Sequence, residues 1–187
     1  MLTPAALAAA DVASGVLAVA GVAKLREPAS FAAFLATLGR RPDPRHATTI
    51  ARLVGSLEVA VALAAVVVGG TLWFAALGLL FLALAGISAV ALARRAPSCG
   101  CFGAASAPTS PSHVVLDLVF AAGAIAAAAA DSAPLVDRLT PAATGATYLL
   151  LVGLATALAV TAMTTAADLS SLRRSLAPAT PSTQARR

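Results

Sequence analysis

The chain has 187 residues, of which 59% are hydrophobic and 11% are charged, and its mean hydropathy is +0.89. These values exclude an ordinary soluble domain and are typical of an integral membrane protein. The net charge of +5 comes without basic residues interleaved with aromatics, so we expect no nucleic-acid binding and assign the positive charge to membrane topology and anionic lipid.

Apolar length and turn residues predict five membrane spans, at 5–23, 49–69, 71–93, 113–130 and 145–166. The second and third come from one run without charges that is too long for a single crossing of a core of roughly 30 Å, and Gly69-Gly70 favours a turn near its middle. We therefore expect an all-α polytopic bundle of four to five transmembrane helices over residues 1–168. A basic tail, 169–187, is predicted to be disordered.

A short apolar stripe lies between the first two spans. Phe31, Phe34, Leu35 and Leu38 recur at i, i+3, i+4 and i+7, which places them on one face of a helix. Because the segment is too brief to cross the membrane, we expect it to lie in the interface.

The distribution of Lys and Arg predicts the orientation of the spans. Twelve of the thirteen cations lie in or beside the first loop, the third loop and the tail, and only Arg138 falls on the other face. The positive-inside rule then places the N-terminus outside and the C-terminus in the cytoplasm of a multi-pass cell-membrane protein. Tyr148, near the start of the last span, is predicted to be an interfacial anchor.

Chemistry concentrates in the third loop, where Cys99 and Cys101 are the only cysteines. In an extended segment their Cα atoms would be about 5.5–7 Å apart, which overlaps the separation that a disulfide tolerates. A strained, easily reduced bond suits electron exchange better than a structural staple. Two alternatives stay open: unreactive small residues, or a soft-metal site with His113 as a third ligand and no evident fourth. No resident cofactor is expected beyond a redox-active disulfide.

Three acids lie within or close to the spans: Asp11, Glu58 and Asp117. Each should face the bundle interior, pair or stay protonated, because a charge at the centre of the bilayer costs at least about 2.5–3.5 kcal/mol. Glu58 lies deepest, and Lys24 can pair with Glu58 or with Asp117. His113 and Asp117 stand at i, i+4 and can contact each other below the cysteine loop. A histidine there could promote a thiolate, while the alternative is an ion pair that only fixes helix packing.

Three blocks follow one another along the chain: Gly21-Val22-Ala23-Lys24-Leu25-Arg26-Glu27-Pro28 with Phe31 after it, Glu58 in the next span, and Ser98-Cys99-Gly100-Cys101-Phe102-Gly103. Together they resemble the methylamine utilisation protein MauE family, of the DoxX-like group of small membrane proteins, over roughly residues 8–130.

The resemblance implies a helical bundle with a DoxX-like four-helix core that serves the maturation of disulfide-containing exported proteins, beside a thioredoxin-like partner. In methylamine operons the client is the small subunit of methylamine dehydrogenase. The resemblance also implies that Cys99 and Cys101 are the redox pair, and it places Lys24 and Glu58 at motif positions. The chain departs from the expected pattern at Leu116, where an Arg would precede Asp117.

The sequence therefore predicts thiol-disulfide exchange, with Cys99, Cys101, Glu58 and His113 as the site, and with a thioredoxin-like protein, an exported client and the lipid bilayer as partners. The alternative is a non-enzymatic assembly or metal-binding subunit, and a small-solute carrier is the weakest interpretation. Because the charge distribution puts the thiols on the cytoplasmic face, oxidation of exported thiols would require either a relay across the membrane or an exception to the charge rule.

Overall fold

The structure is a computed structural model that describes residues 2–37, 43–94, 96, 98–103, 109–139 and 142–176. Six α-helices follow in order: α1 (Leu2–Arg26), α2 (Pro28–Thr37), α3 (Pro44–Val67), α4 (Gly70–Ala93), α5 (Pro111–Ala129) and α6 (Ala142–Leu176). A short 3₁₀ helix (Leu135–Arg138) lies between α5 and α6. No strand is present in these ranges, so the all-α prediction is confirmed.

Within the part of the chain that the structure describes, five helices are long and apolar enough to cross a membrane: Pro4–Arg26, Pro44–Val67, Gly70–Ala93, Pro111–Ala129 and Thr144–Thr165. Each corresponds to one predicted span, with ends that differ by a few residues. Helix α6 continues to Leu176, past the boundary at residue 168 that composition suggested, and residues 177–187 lie outside the described ranges.

The turn between α3 and α4 depends on the paired glycines that the sequence singled out. Gly69 and Gly70 have φ values of 65° and 79°, a region that side chains disfavour. A Cβ on Gly69 would lie 2.5 Å from the backbone nitrogen of Pro134, in the segment that follows α5. Gly70 also donates its N–H to the Ser132 carbonyl at 2.9 Å. The turn is therefore fixed against the connection between α5 and α6.

Four helices, α1, α3, α4 and α5, form the core of the bundle. Helix α1 packs against α3 and α5, while α4 packs mainly on α5. Helix α6 lies outside this core against α1, and only 6% of its membrane-spanning stretch is buried. The bundle is thus four helices with a fifth, largely lipid-facing span on its surface.

Helix α2 forms where the apolar stripe predicted it, but the stripe faces protein. Phe31 and Phe34 are both 97% buried, and α2 packs against α3 and α1. The Arg94 guanidinium at the end of α4 donates to the Thr37 carbonyl at 2.9 Å. Helix α2 therefore covers one end of the bundle instead of lying free in the interface. Leu38, the last residue of the predicted stripe, lies outside the described residues.

Candidate functional site

The Cys99-Gly100-Cys101 loop is tucked beneath helix α2. Both cysteines are thiols and are buried, Cys99 at 1% exposure and Cys101 at 6%. Gly100 has φ 67°, and a Cβ there would lie 2.7 Å from the backbone of Phe31 and from the Ser30 carbonyl. Any other residue at position 100 would be strained and would collide with α2. The glycine therefore lets the loop reach the depth at which its thiols are covered.

Directly below the loop, Lys24 of α1 forms a buried ion pair with Glu58 of α3. The ammonium donates to both carboxylate oxygens, at 3.0 and 2.9 Å, and neither side chain is more than 2% exposed. It also donates to the Cys101 carbonyl at 3.1 Å and lies 5.5 Å from the centre of the Phe31 ring. Of the two partners that the sequence allowed for Lys24, the structure selects Glu58, and the pair is joined to the thiol loop through its backbone.

Two glycines one turn away allow this ion pair to form. A Cβ on Gly21 would lie 2.7 Å from the Gly55 carbonyl oxygen, and a Cβ on Gly55 would lie 2.8 Å from the Gly21 carbonyl oxygen. Each precedes an ionic residue by three positions, Gly21 before Lys24 and Gly55 before Glu58. Because glycines let two helix backbones approach closely, short distances between α1 and α3 become available to the two side chains.

The electrostatics of the loop give the two thiols different pKa values. The Cys101 thiol hydrogen-bonds to Cys99 and lowers the pKa of Cys99 to about 7, against the opposing effect of burial. The Cys101 N–H donates to the Cys99 sulfur at 3.4 Å. This hydrogen bond and the positive charge of Lys24 also lower the pKa of Cys99. The pKa of Cys101 is raised well above its ordinary value by the same hydrogen bond, by burial and by the Cys99 charge. The two thiols are therefore unequal in acidity: Cys99 is the more acidic, and Cys101 keeps its proton.

A narrow cavity lies on the inner side of the loop. Both cysteines line it together with Ser88 of α4 and with His113 and Asp117 of α5, and apolar residues of α1, α4 and α6 complete the wall. The room inside it for a water-sized sphere is about 10 Å³, enough for about one molecule. The thiols, the histidine and the carboxylate thus share one enclosed space.

His113 and Asp117 do not pair with each other as their spacing suggested. The His113 Nδ1 accepts the Ser110 N–H at 3.2 Å and caps the start of α5, while Ser88 donates its hydroxyl to Asp117 Oδ2 at 3.1 Å. The structure therefore brings three of the four predicted site residues, Cys99, Cys101 and His113, to the cavity. The fourth, Glu58, does not line the cavity and is held by Lys24, which contacts the loop at the Cys101 carbonyl.

Metal ligation finds no support in the geometry of the described ranges. No three side chains from His, Cys, Asp and Glu come together there in an arrangement that could hold a metal ion.

A second polar cluster, at the other end of the bundle, was not predicted from the sequence. The Arg138 guanidinium binds both carboxylate oxygens of Asp11, at 2.9 and 2.8 Å, and the Tyr148 hydroxyl donates to the same carboxylate. Asp11 is 97% buried, so this bidentate pair neutralises its charge inside α1. Tyr148, which was expected to be an interfacial anchor, ties α6 to α1. The sequence did contain a signal for this pair: Arg138 is the one cation assigned to its face of the membrane, and Asp11 is an acid within a span.

Comparison with known proteins supports the family resemblance that the three sequence blocks indicated. The model of the family described as methylamine utilisation protein MauE matches residues 2–130, which include Lys24, Glu58 and both cysteines. No curated protein and no solved structure matches the chain.

Proposed function

The chain belongs to the MauE family of methylamine utilisation proteins, and we propose that it carries out thiol-disulfide exchange through Cys99 and Cys101. The observation that carries the proposal is the pairing of an acidified thiol with a protonated one, one residue apart, above a buried ammonium. Neighbouring thiols of unequal acidity suit an attacking and a resolving cysteine, because the thiolate is the nucleophile.

The exchange runs in two displacements. The Cys99 thiolate attacks one sulfur of a partner disulfide, the partner's S–S bond breaks, and the departing sulfur takes up a proton. Cys101 then loses its proton and attacks the Cys99 sulfur, which releases the second partner sulfur as a thiol. The partner gains two electrons and two protons, and the chain is left with a Cys99–Cys101 disulfide. The reverse sequence oxidises a client dithiol.

A thioredoxin-like protein and an exported, disulfide-containing client are the partners that this chemistry suits, and the family description suggests a link to methylamine metabolism. For the orientation we propose an external N-terminus and a cytoplasmic thiol loop, since twelve of the thirteen cations would then be retained inside. In that orientation the protein is one stage of a relay of electrons between cytoplasmic and external thiols.

The test is electron transfer in reconstituted vesicles between the purified full-length protein and a thioredoxin-fold protein. Cys99→Ser should abolish exchange, and Cys101→Ser should stop at a trapped mixed disulfide, while both variants insert normally. Ser132→Ala is the matched control, because this buried serine lies near the opposite end of the bundle and its hydroxyl has no hydrogen-bond partner among the described residues. Wild-type exchange rates in both cysteine variants would refute the proposal.

A further inference from the structure

The second displacement requires a proton acceptor beside Cys101, because that thiol is protonated and buried. Only 6% of Cys101 is exposed, so bulk water has little access to it. The acceptor must therefore be a group that shares the enclosed cavity with the thiols or lies against the loop. Among the described residues, three side chains that can accept a proton meet that description: Glu58, His113 and Asp117.

Two of these three side chains, Glu58 and His113, already use their acceptor atoms in other hydrogen bonds. Both oxygens of Glu58 accept hydrogen bonds from Lys24, so this carboxylate already has an ion-pair partner. His113 accepts the Ser110 N–H at Nδ1, and its ring also interacts with the Met163 carbonyl of α6. To take a proton at Nδ1, the histidine would have to release the cap of α5.

Asp117 is the remaining candidate, and its surroundings suit the task. It lines the same cavity as both thiols, is 95% buried, and accepts the Ser88 hydroxyl at Oδ2. The charged and titratable groups that face it are Cys99 and Cys101 from the loop and Lys24 from α1, with His113 one turn earlier on its own helix. From the sequence it was considered as a partner of Lys24 or of His113, with an ion pair and a redox role as the two alternatives, and as part of a solute-carrier site.

We propose that Asp117 accepts the proton of Cys101 as Cys101 resolves the mixed disulfide, and returns it when the exchange runs in reverse. The step deepens the proposed function and rests on it. The S–H bond of Cys101 breaks, and the proton passes to a carboxylate oxygen directly or through the one water for which the cavity has room. The sulfur electron pair forms the bond to Cys99 while the bond between Cys99 and the partner sulfur breaks, and that sulfur leaves as a thiolate that takes its proton from solvent. No external oxidant is needed beyond the partner disulfide.

Loss of the Cys99 charge makes this transfer easier at the moment it is needed. The negative charge of Asp117 is close enough to contribute to the raised pKa of Cys101, so two anions are disfavoured in the cavity. A proton that moves from sulfur to oxygen keeps the number of charges constant. Once Cys99 is bonded to the partner, its own negative charge is gone and Cys101 can ionise more easily.

The experiment follows the mixed disulfide itself. The full-length protein in vesicles is mixed with 5,5′-dithiobis(2-nitrobenzoate), an aromatic disulfide, and intact mass measures the fraction that carries one thionitrobenzoate adduct over time. Wild-type protein should pass to the internal disulfide with little adduct. Asp117→Asn should accumulate the adduct at neutral pH, with its lifetime extended about a hundredfold, as for loss of a general base.

The pH profile separates a proton acceptor from a structural role. In Asp117→Asn, resolution should accelerate in proportion to hydroxide concentration, whereas the wild-type rate should rise less steeply. Asp117→Glu should restore much of the rate, and Ser88→Ala, which keeps the carboxylate, should resolve within a few-fold of wild type. Equal adduct lifetimes in wild type and Asp117→Asn would overturn the proposal. A wild-type protein that never releases the second thionitrobenzoate would instead refute the proposed function and, with it, this role.

Discussion

Lys24 donates to both carboxylate oxygens of Glu58 and, with its third proton, to the carbonyl of Cys101. One ammonium therefore uses its whole donor capacity to join α1, α3 and the thiol loop. Because the same group lowers the pKa of Cys99, the packing of the bundle and the reactivity of the loop depend on one side chain.

We expect Lys24→Met to lower the free energy of unfolding by about 3–5 kcal/mol, because it leaves the Glu58 carboxylate buried without its partner. The double variant Lys24→Met/Glu58→Met should recover most of that loss, since two apolar side chains replace the pair. Denaturant unfolding in detergent measures both. If the double variant loses as much free energy of unfolding as Lys24→Met and Glu58→Met lose together when made singly, the pair does not act as a unit.

Gly100→Ala should displace the thiol loop from α2. The substitution places a Cβ against the Ser30–Phe31 backbone and costs about 1–2 kcal/mol for the left-handed conformation alone. We expect faster alkylation of the exposed thiols together with lower thermal stability. The matched control is Gly86→Ala in α4, where nothing lies within 4 Å of the new Cβ. Unchanged alkylation in Gly100→Ala would contradict the packing described for the loop.

The rate at which Cys99 reacts with iodoacetamide should follow its thiolate fraction and be half-maximal near pH 7. Below that pH the sulfur is protonated, so the rate should fall roughly tenfold per pH unit. Cys101→Ala removes the neighbouring S–H and should move the midpoint upward, towards the ordinary thiol value of about 8.5. Met163→Leu, a change of an uncharged residue in the same cavity, is the control and should leave the profile in place.

The orientation can be tested with two alanines at opposite ends of the bundle in a chain whose own cysteines are replaced by serine. Ala29 on α2 and Ala133 after α5 are both exposed. With the proposed orientation, a membrane-impermeant maleimide should label Ala133→Cys in intact cells and label Ala29→Cys only after lysis. The opposite pattern would place the thiol loop outside and replace the relay by direct oxidation of exported thiols.

The spans were predictable because apolar length is a property of local sequence. The ion pair was predictable in part: burial demanded a partner for Lys24, but the choice of Glu58 over Asp117 depends on how closely α1 approaches α3. That approach is a tertiary property of Gly21 and Gly55, and nothing in either helix alone reveals it.

One feature of the site and one of the cluster at the other end of the bundle lay beyond the sequence for a related reason. His113 stands at the third position of α5, where a side chain can either cap the helix or reach a neighbour, and only the course of the preceding loop decides between them. Asp11 and Arg138 are 127 positions apart, so their pairing emerges only once α1 and the segment after α5 lie side by side.

The burial of Cys99 and Cys101 makes the loop a kinetic filter. Small oxidants that strike the surface meet the backbone of α2 and not sulfur, so the lifetime of the reduced pair in the cell depends on how often the loop opens. A protein partner that can hold the loop open would react with the buried sulfurs faster than a small soluble thiol or disulfide of equal reduction potential. Selectivity for the partner would then reside in the contact between Gly100 and α2, with the redox chemistry common to any dithiol.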